Sequence, residues 1–146
     1  MTDLFILDNI IIAKHLRLYA QVCDLETVVF HSGVEGLQYL RSCSEETLPQ
    51  AYLVDLQTRI PGGNPTFKCD LDIYQVSNNE LSASLDIYNF LKQKNKVNNF
   101  YFMSTHISDQ GYKILKQTNA KVIGKGSDEL FNTIKKLKTS STFQEM

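Results

Sequence analysis

Asp8 and Asn9 close the apolar run Leu4-Phe5-Ile6-Leu7, and Asp55 closes Ala51-Tyr52-Leu53-Val54. Ser104 and Thr105 close Phe100-Tyr101-Phe102-Met103, and Lys125 follows Lys121-Val122-Ile123 by one glycine. Together these side chains make a coherent set for handling a phosphoryl group. A carboxylate can attack phosphorus covalently, provided that the charge gathering on the phosphoryl oxygens is offset by a divalent cation, a hydroxyl and an ammonium. Taken singly, an aspartate that ends an apolar run can equally cap the next turn, and a lone lysine is more often a solvated surface group. The weight lies in the combination.

The elements that must position these residues are legible as an alternation. The four apolar runs above, with Thr27-Val28-Val29-Phe30, read as five buried strands. Between them, Ile12, Leu16, Tyr19 and Cys23 share one face of a first helix, and Val34, Leu37 and Leu40 line a second. Ser32 and Glu35 have the spacing of a capping box at its start. Leu81, Leu85, Tyr88 and Leu91 mark a third helix, residues 108–117 a weaker fourth, and Leu130, Phe131, Ile134 and Leu137 a fifth that Ser127 can cap. Five β-α units in succession predict a flavodoxin-like, doubly wound parallel sheet with helices on both faces. In such folds the residues that end the strands meet in one crevice.

At these positions the sequence resembles the receiver domains of bacterial response regulators, the CheY-like superfamily, from Leu4 to about Leu137. The matching motifs are Leu7-Asp8-Asn9, Tyr52-Leu53-Val54-Asp55-Leu56, Met103-Ser104-Thr105 and Ile123-Gly124-Lys125. The resemblance implies that Asp55 is the phospho-acceptor, that Ser104 bonds a phosphoryl oxygen and that Lys125 pairs with it. It also implies a Mg2+ site formed by Asp8, Asp55 and the backbone carbonyl of Gln57. The implied donor is a histidine kinase or phosphotransfer protein, and the signal passes to a downstream protein effector. Any catalysis is limited to self-phosphorylation and autodephosphorylation of the aspartyl phosphate.

Several positions depart from that pattern. Asn9 stands where most of the family has a second acid, so it offers the metal only a neutral amide oxygen, a weak ligand that lowers the expected Mg2+ affinity. Val122 replaces the aromatic ring that reports the state of the hydroxyl in many members. Gly126 follows Lys125 where proline is usual, which loosens the turn that aims the lysine. Between Pro61 and Ala83 lies an insertion, within which Phe67, Cys69, Leu71 and Ile73 alternate with Lys68, Asp70, Asp72 and Tyr74. That period predicts an added strand or hairpin around 64–80.

Composition sets the outer limits. A chain of 146 residues with 42% hydrophobic content supports one domain, expected over 1–138, followed by a polar C-terminal tail at 139–146. The net charge of -1, without a basic stripe, argues against direct nucleic-acid binding. Three cysteines with no metal-binding spacing fit a reduced protein, and no apolar run reaches the length of a membrane span. The expectation is a cytoplasmic, stand-alone receiver acting through protein contacts, with a homodimer left open. His15, His31 and His106 read as ordinary histidines. The alternative is a pseudo-receiver that binds partners without phosphorylation. A phosphatase of the haloacid dehalogenase type would need a second aspartate where Gln57 stands.

Overall fold

A computed structural model describes residues 2–56, 79–104, 120–125 and 127–145. Within them the chain runs β1 (Leu4–Leu7), α1 (Ile10–Val22), β2 (Thr27–Phe30), α2 (Gly33–Ser42), β3 (Ala51–Asp55), α3 (Asn79–Gln93), β4 (Phe100–Ser104), β5 (Lys121–Gly124) and α4 (Asp128–Glu145). The strands form one parallel sheet in the order β2-β1-β3-β4-β5. This is the doubly wound, flavodoxin-like architecture that the alternating pattern predicts. The expected strand or hairpin around 64–80 and the expected helix at 108–117 lie outside the described residues.

The sheet is covered on both sides, and the pleat decides which residue faces which side. Phe5 and Leu7 of β1 pack with Leu37 and Leu40 of α2 and with Ile87, Tyr88 and Leu91 of α3. Leu4 and Ile6 face the other way, against Ala13, Leu16 and Ala20 of α1 and Leu130 and Ile134 of α4. Every residue of β1 and β3 is buried, as expected for central parallel strands, whereas the edge strand β2 is half-buried throughout. The first face is rich in rings: Phe5 lies 5.5 Å from Phe30 and 5.7 Å from Tyr52, and Tyr52 lies 5.8 Å from Phe100. α2 approaches this layer closely at Gly36, where a Cβ would come within 3.0 Å of the Phe5 ring.

Capping fixes the helix ends. Ser32 Oγ accepts from the Glu35 N–H at 3.5 Å, and Ser127 Oγ accepts from the Leu130 N–H at 3.4 Å. α1 ends with Asp24 in the left-handed region (φ 65), the Leu25 N–H reaching back to the Ala20 carbonyl at 2.9 Å. α3 ends in the same way at Asn95 (φ 57), where the Lys96 N–H donates to the Leu91 carbonyl at 2.9 Å.

α4 differs from the expectation at its far end. It continues to Glu145 and so takes in nearly all of the stretch read as an aperiodic tail. No glycine or proline interrupts 128–145, so nothing local stops the helix once Asp128 and Glu129 have started it. Lys135 and Lys136 consequently sit in mid-helix, exposed, rather than at a terminus where they would complement the helix dipole.

Candidate functional site

The parallel register brings the C-terminal ends of β1, β3, β4 and β5 to one edge of the sheet. Leu7 pairs with Val54, Asp55 with Met103, and Ser104 with Gly124. Asp8, Asp55 and Ser104 are all buried at this edge. Lys125 reaches it from just beyond β5, and its N–H donates to the Ser104 carbonyl at 3.0 Å.

Three of the sequence-predicted residues meet directly. Lys125 Nζ lies 3.1 Å from Asp8 Oδ1 and 2.9 Å from Asp55 Oδ1, so one ammonium joins two buried carboxylates 47 positions apart in the chain numbering of Asp8 and Asp55. The ion pairs are shielded, with 9% of the lysine side chain exposed and none of Asp8. Two carboxylates facing one ammonium leave one excess negative charge in a dry site. Burial therefore pushes the Asp8 carboxyl up from 3.8 to about 6, and the charge on Asp55 adds to that rise; the Asn9 N–H and Lys125 oppose it.

The donor set was expected to suit a divalent cation, and one atom bears on that. Asp8 Oδ2 is buried and has no hydrogen-bond partner among the described residues, whereas Asp8 Oδ1 takes both Lys125 and the Asn9 N–H, the latter at 2.7 Å. An orphaned carboxylate oxygen beside a second carboxylate is hard-oxygen chemistry, which fits Mg2+. Asn9, expected as a weak ligand, also has a local structural role. It is the N-cap of α1, and its Oδ1 accepts from the Ile12 N–H at 2.9 Å. Asparagine directly before an apolar helical run is itself a capping signal. Gln57, the third expected ligand, Thr105, His106 and Gly126 lie outside the described residues. Val122 is half-buried and packs on the α2 and α3 side of the sheet.

Two contacts at the site were not legible from the sequence. The His31 ring, through Nδ1, bonds the Asp8 backbone carbonyl at 2.9 Å, so an apparently ordinary histidine at the end of β2 holds the β1–α1 turn. Ser84, fully buried in α3, donates its hydroxyl to the Asp55 backbone carbonyl. The only signal for Ser84 was a small polar residue in step with Tyr88 and Leu91 on an apolar stripe.

No protein-family model matches the chain, and no curated protein does. Solved structures match over nearly its whole length. A CheY-like response regulator receiver domain protein from Methanospirillum hungatei superposes with a TM-score of 0.65 at 12% identity, covering 99% of this chain and 97% of that one. A receiver domain protein from Clostridium thermocellum gives 0.62 at 13% identity, with 99% of each chain covered. The chemotaxis protein CheY4 of Vibrio cholerae gives 0.58 at 14% identity, covering 99% of this chain and 98% of that one. The chain thus has the fold of CheY-like response-regulator receiver domains. Among the described residues, no helix is long and apolar enough to cross a membrane.

Proposed function

We propose that this protein is a response-regulator receiver in which Asp55 takes a phosphoryl group from a phosphohistidine on a kinase or phosphotransfer protein. The observation that carries this reading is the buried Asp8–Lys125–Asp55 cluster at the strand ends of a receiver fold. An Asp55 carboxylate oxygen forms the new bond to phosphorus, the bond from phosphorus to the donor nitrogen breaks, and its electron pair leaves with the imidazole. Lys125 gives up a carboxylate contact to pair with a phosphoryl oxygen, and the Ser104 hydroxyl bonds another. Asp8 and Asp55 would hold Mg2+, which supplies further charge compensation there. Four exposed apolar side chains of α1, Ile10, Ile11, Leu18 and Val22, begin one residue after Asn9 and adjoin Lys14 and Arg17, which suits docking of a donor protein with an acidic rim.

Added charge at Asp55 would be read on the β5 and α4 side of the domain by a protein effector. The capping role of Asn9 favours a second reading. With its amide oxygen committed to α1, the site has one anionic ligand fewer than a typical receiver, as a phosphorylation-independent interaction module would tolerate. Intact-mass measurement after incubation with acetyl phosphate and Mg2+, beside Asp55→Asn, separates the two. One phosphate on the wild type alone supports the acceptor. No phosphate on a folded wild type supports the interaction module.

A further inference from the structure

Among the described residues, the β1 ladder pairs with β3 as far as Val54, one residue short of Asp55. In the parallel register, with Leu53 opposite Ile6 and Val54 opposite Leu7, the next amide able to feed the Asp55 carbonyl from β1 is that of Asn9. That N–H is donated instead to Asp8 Oδ1 at 2.7 Å. The hydroxyl of Ser84 takes the place of the ladder donor, reaching the Asp55 carbonyl from α3. Ser84 is wholly buried, and on the other side of the same peptide the Leu56 N–H donates to the Met103 carbonyl at 3.0 Å. The peptide that carries the acceptor side chain is therefore held from both sides, by β4 and by α3.

We propose that Ser84 is a positioning residue for Asp55, fixing the backbone from which its carboxylate is aimed at Lys125. The assignment rests on the phospho-acceptor reading above. The Asp55 carboxylate stands 2.9 Å from Lys125 Nζ, and its line of attack depends on where the Cα of Asp55 sits. Without the Ser84 hydroxyl, the end of β3 keeps its bond to β4 and its apolar packing but loses the hydrogen bond that ties the Asp55 carbonyl to α3, so the carboxylate samples poorer alignments. Displacements of about 1 Å can cost about a hundredfold in rate. Loss of the Ser84 hydrogen bond alone is expected to cost about tenfold.

The test compares wild type with Ser84→Ala, Ser84→Thr and Ser84→Cys, each checked for a folded circular dichroism spectrum. Phosphoryl incorporation from acetyl phosphate with Mg2+ is followed by intact mass across donor concentrations. Ser84→Ala is expected to lower the maximal rate about tenfold with an unchanged half-saturating concentration. Ser84→Thr is expected to restore the rate, and Ser84→Cys, a weak donor of similar volume, to fall between and to serve alone if the threonine methyl disrupts packing. In parallel, the 13Cγ resonance of Asp55 is expected to move in Ser84→Ala and return in Ser84→Thr or Ser84→Cys. A folded Ser84→Ala with the wild-type rate and an unmoved Asp55 resonance overturns the proposal. Should the wild type take no phosphate, the acceptor reading fails and the resonance alone decides: movement in Ser84→Ala with recovery in the donor variants upholds positioning, and no movement refutes it.

Discussion

Asp8→Asn is expected to stabilise the fold at neutral pH, although it removes one partner of Lys125. In the folded protein the Asp8 carboxyl titrates at about 6 against an ordinary 3.8, because burial and the neighbouring Asp55 charge disfavour its ionised form. The folded state therefore binds the proton more tightly than the unfolded state does. The stability this supplies is complete below pH 3.8 and is lost as pH rises through about 6. At roughly 1.36 kcal/mol per pH unit, the penalty at pH 7.5 is about 3 kcal/mol. Asparagine approximates the protonated acid in shape and charge, and Lys125 keeps Asp55 at 2.9 Å. Urea denaturation of both proteins in EDTA, from pH 4.5 to pH 8, checks this. The variant should already lead by about 1 kcal/mol at pH 4.5, where an unfolded Asp8 of pKa 3.8 is mostly ionised, and the lead should widen with rising pH to about 3 kcal/mol. Mg2+ should raise the wild type more than the variant. A variant less stable than the wild type at pH 7.5 in EDTA would refute the reasoning, since the carboxylate would then be a net stabilising partner of Lys125.

Other consequences follow from single atoms. Tyr52 Oη is buried with no hydrogen-bond partner among the described residues, so Tyr52→Phe removes an unpaid desolvation and should stabilise by about 1 kcal/mol in urea melts, with the ring contacts to Phe5 and Phe100 kept. A loss of more than about 1 kcal/mol would point to a partner for that hydroxyl. Asn95→Gly, at the left-handed end of α3, should raise stability by about 0.5 kcal/mol, because glycine adopts φ 57 without the Cβ penalty. A loss would show that the asparagine side chain is itself holding the helix end.

Much of this arrangement was legible because buried parallel strands are written as short apolar runs. All five appear as such, and where the pattern stops one residue early the reason is chemical: β3, β4 and β5 end at Asp55, Ser104 and Gly124, residues that apolarity alone does not assign to a strand. The meeting of Asp8, Asp55 and Lys125 followed from fold topology and strand order. Less of the supporting detail could be read. Asn9 satisfies the rule for a helix cap as well as that for a weak ligand, and its hydrogen bond to the Ile12 N–H is a local contact that the metal reading obscured. His31 and Ser84 act on carbonyls 23 and 29 positions away, and no local spacing encodes such pairs. The extent of α4 was missed because 139–145 carries no apolar period, although an established helix needs none to continue where no residue stops it.

If Asp55 is the phospho-acceptor, the phosphoryl group resides on its carboxylate, and its location can be read chemically. After reaction with acetyl phosphate and Mg2+, borohydride reduces an acyl phosphate to the alcohol, leaving homoserine in place of the acylated aspartate for peptide sequencing by mass spectrometry. Homoserine is expected at position 55 alone, absent without acetyl phosphate and absent in Asp55→Asn. Reduction at another carboxylate, or none in a protein shown to be folded, would contradict Asp55 as the acceptor.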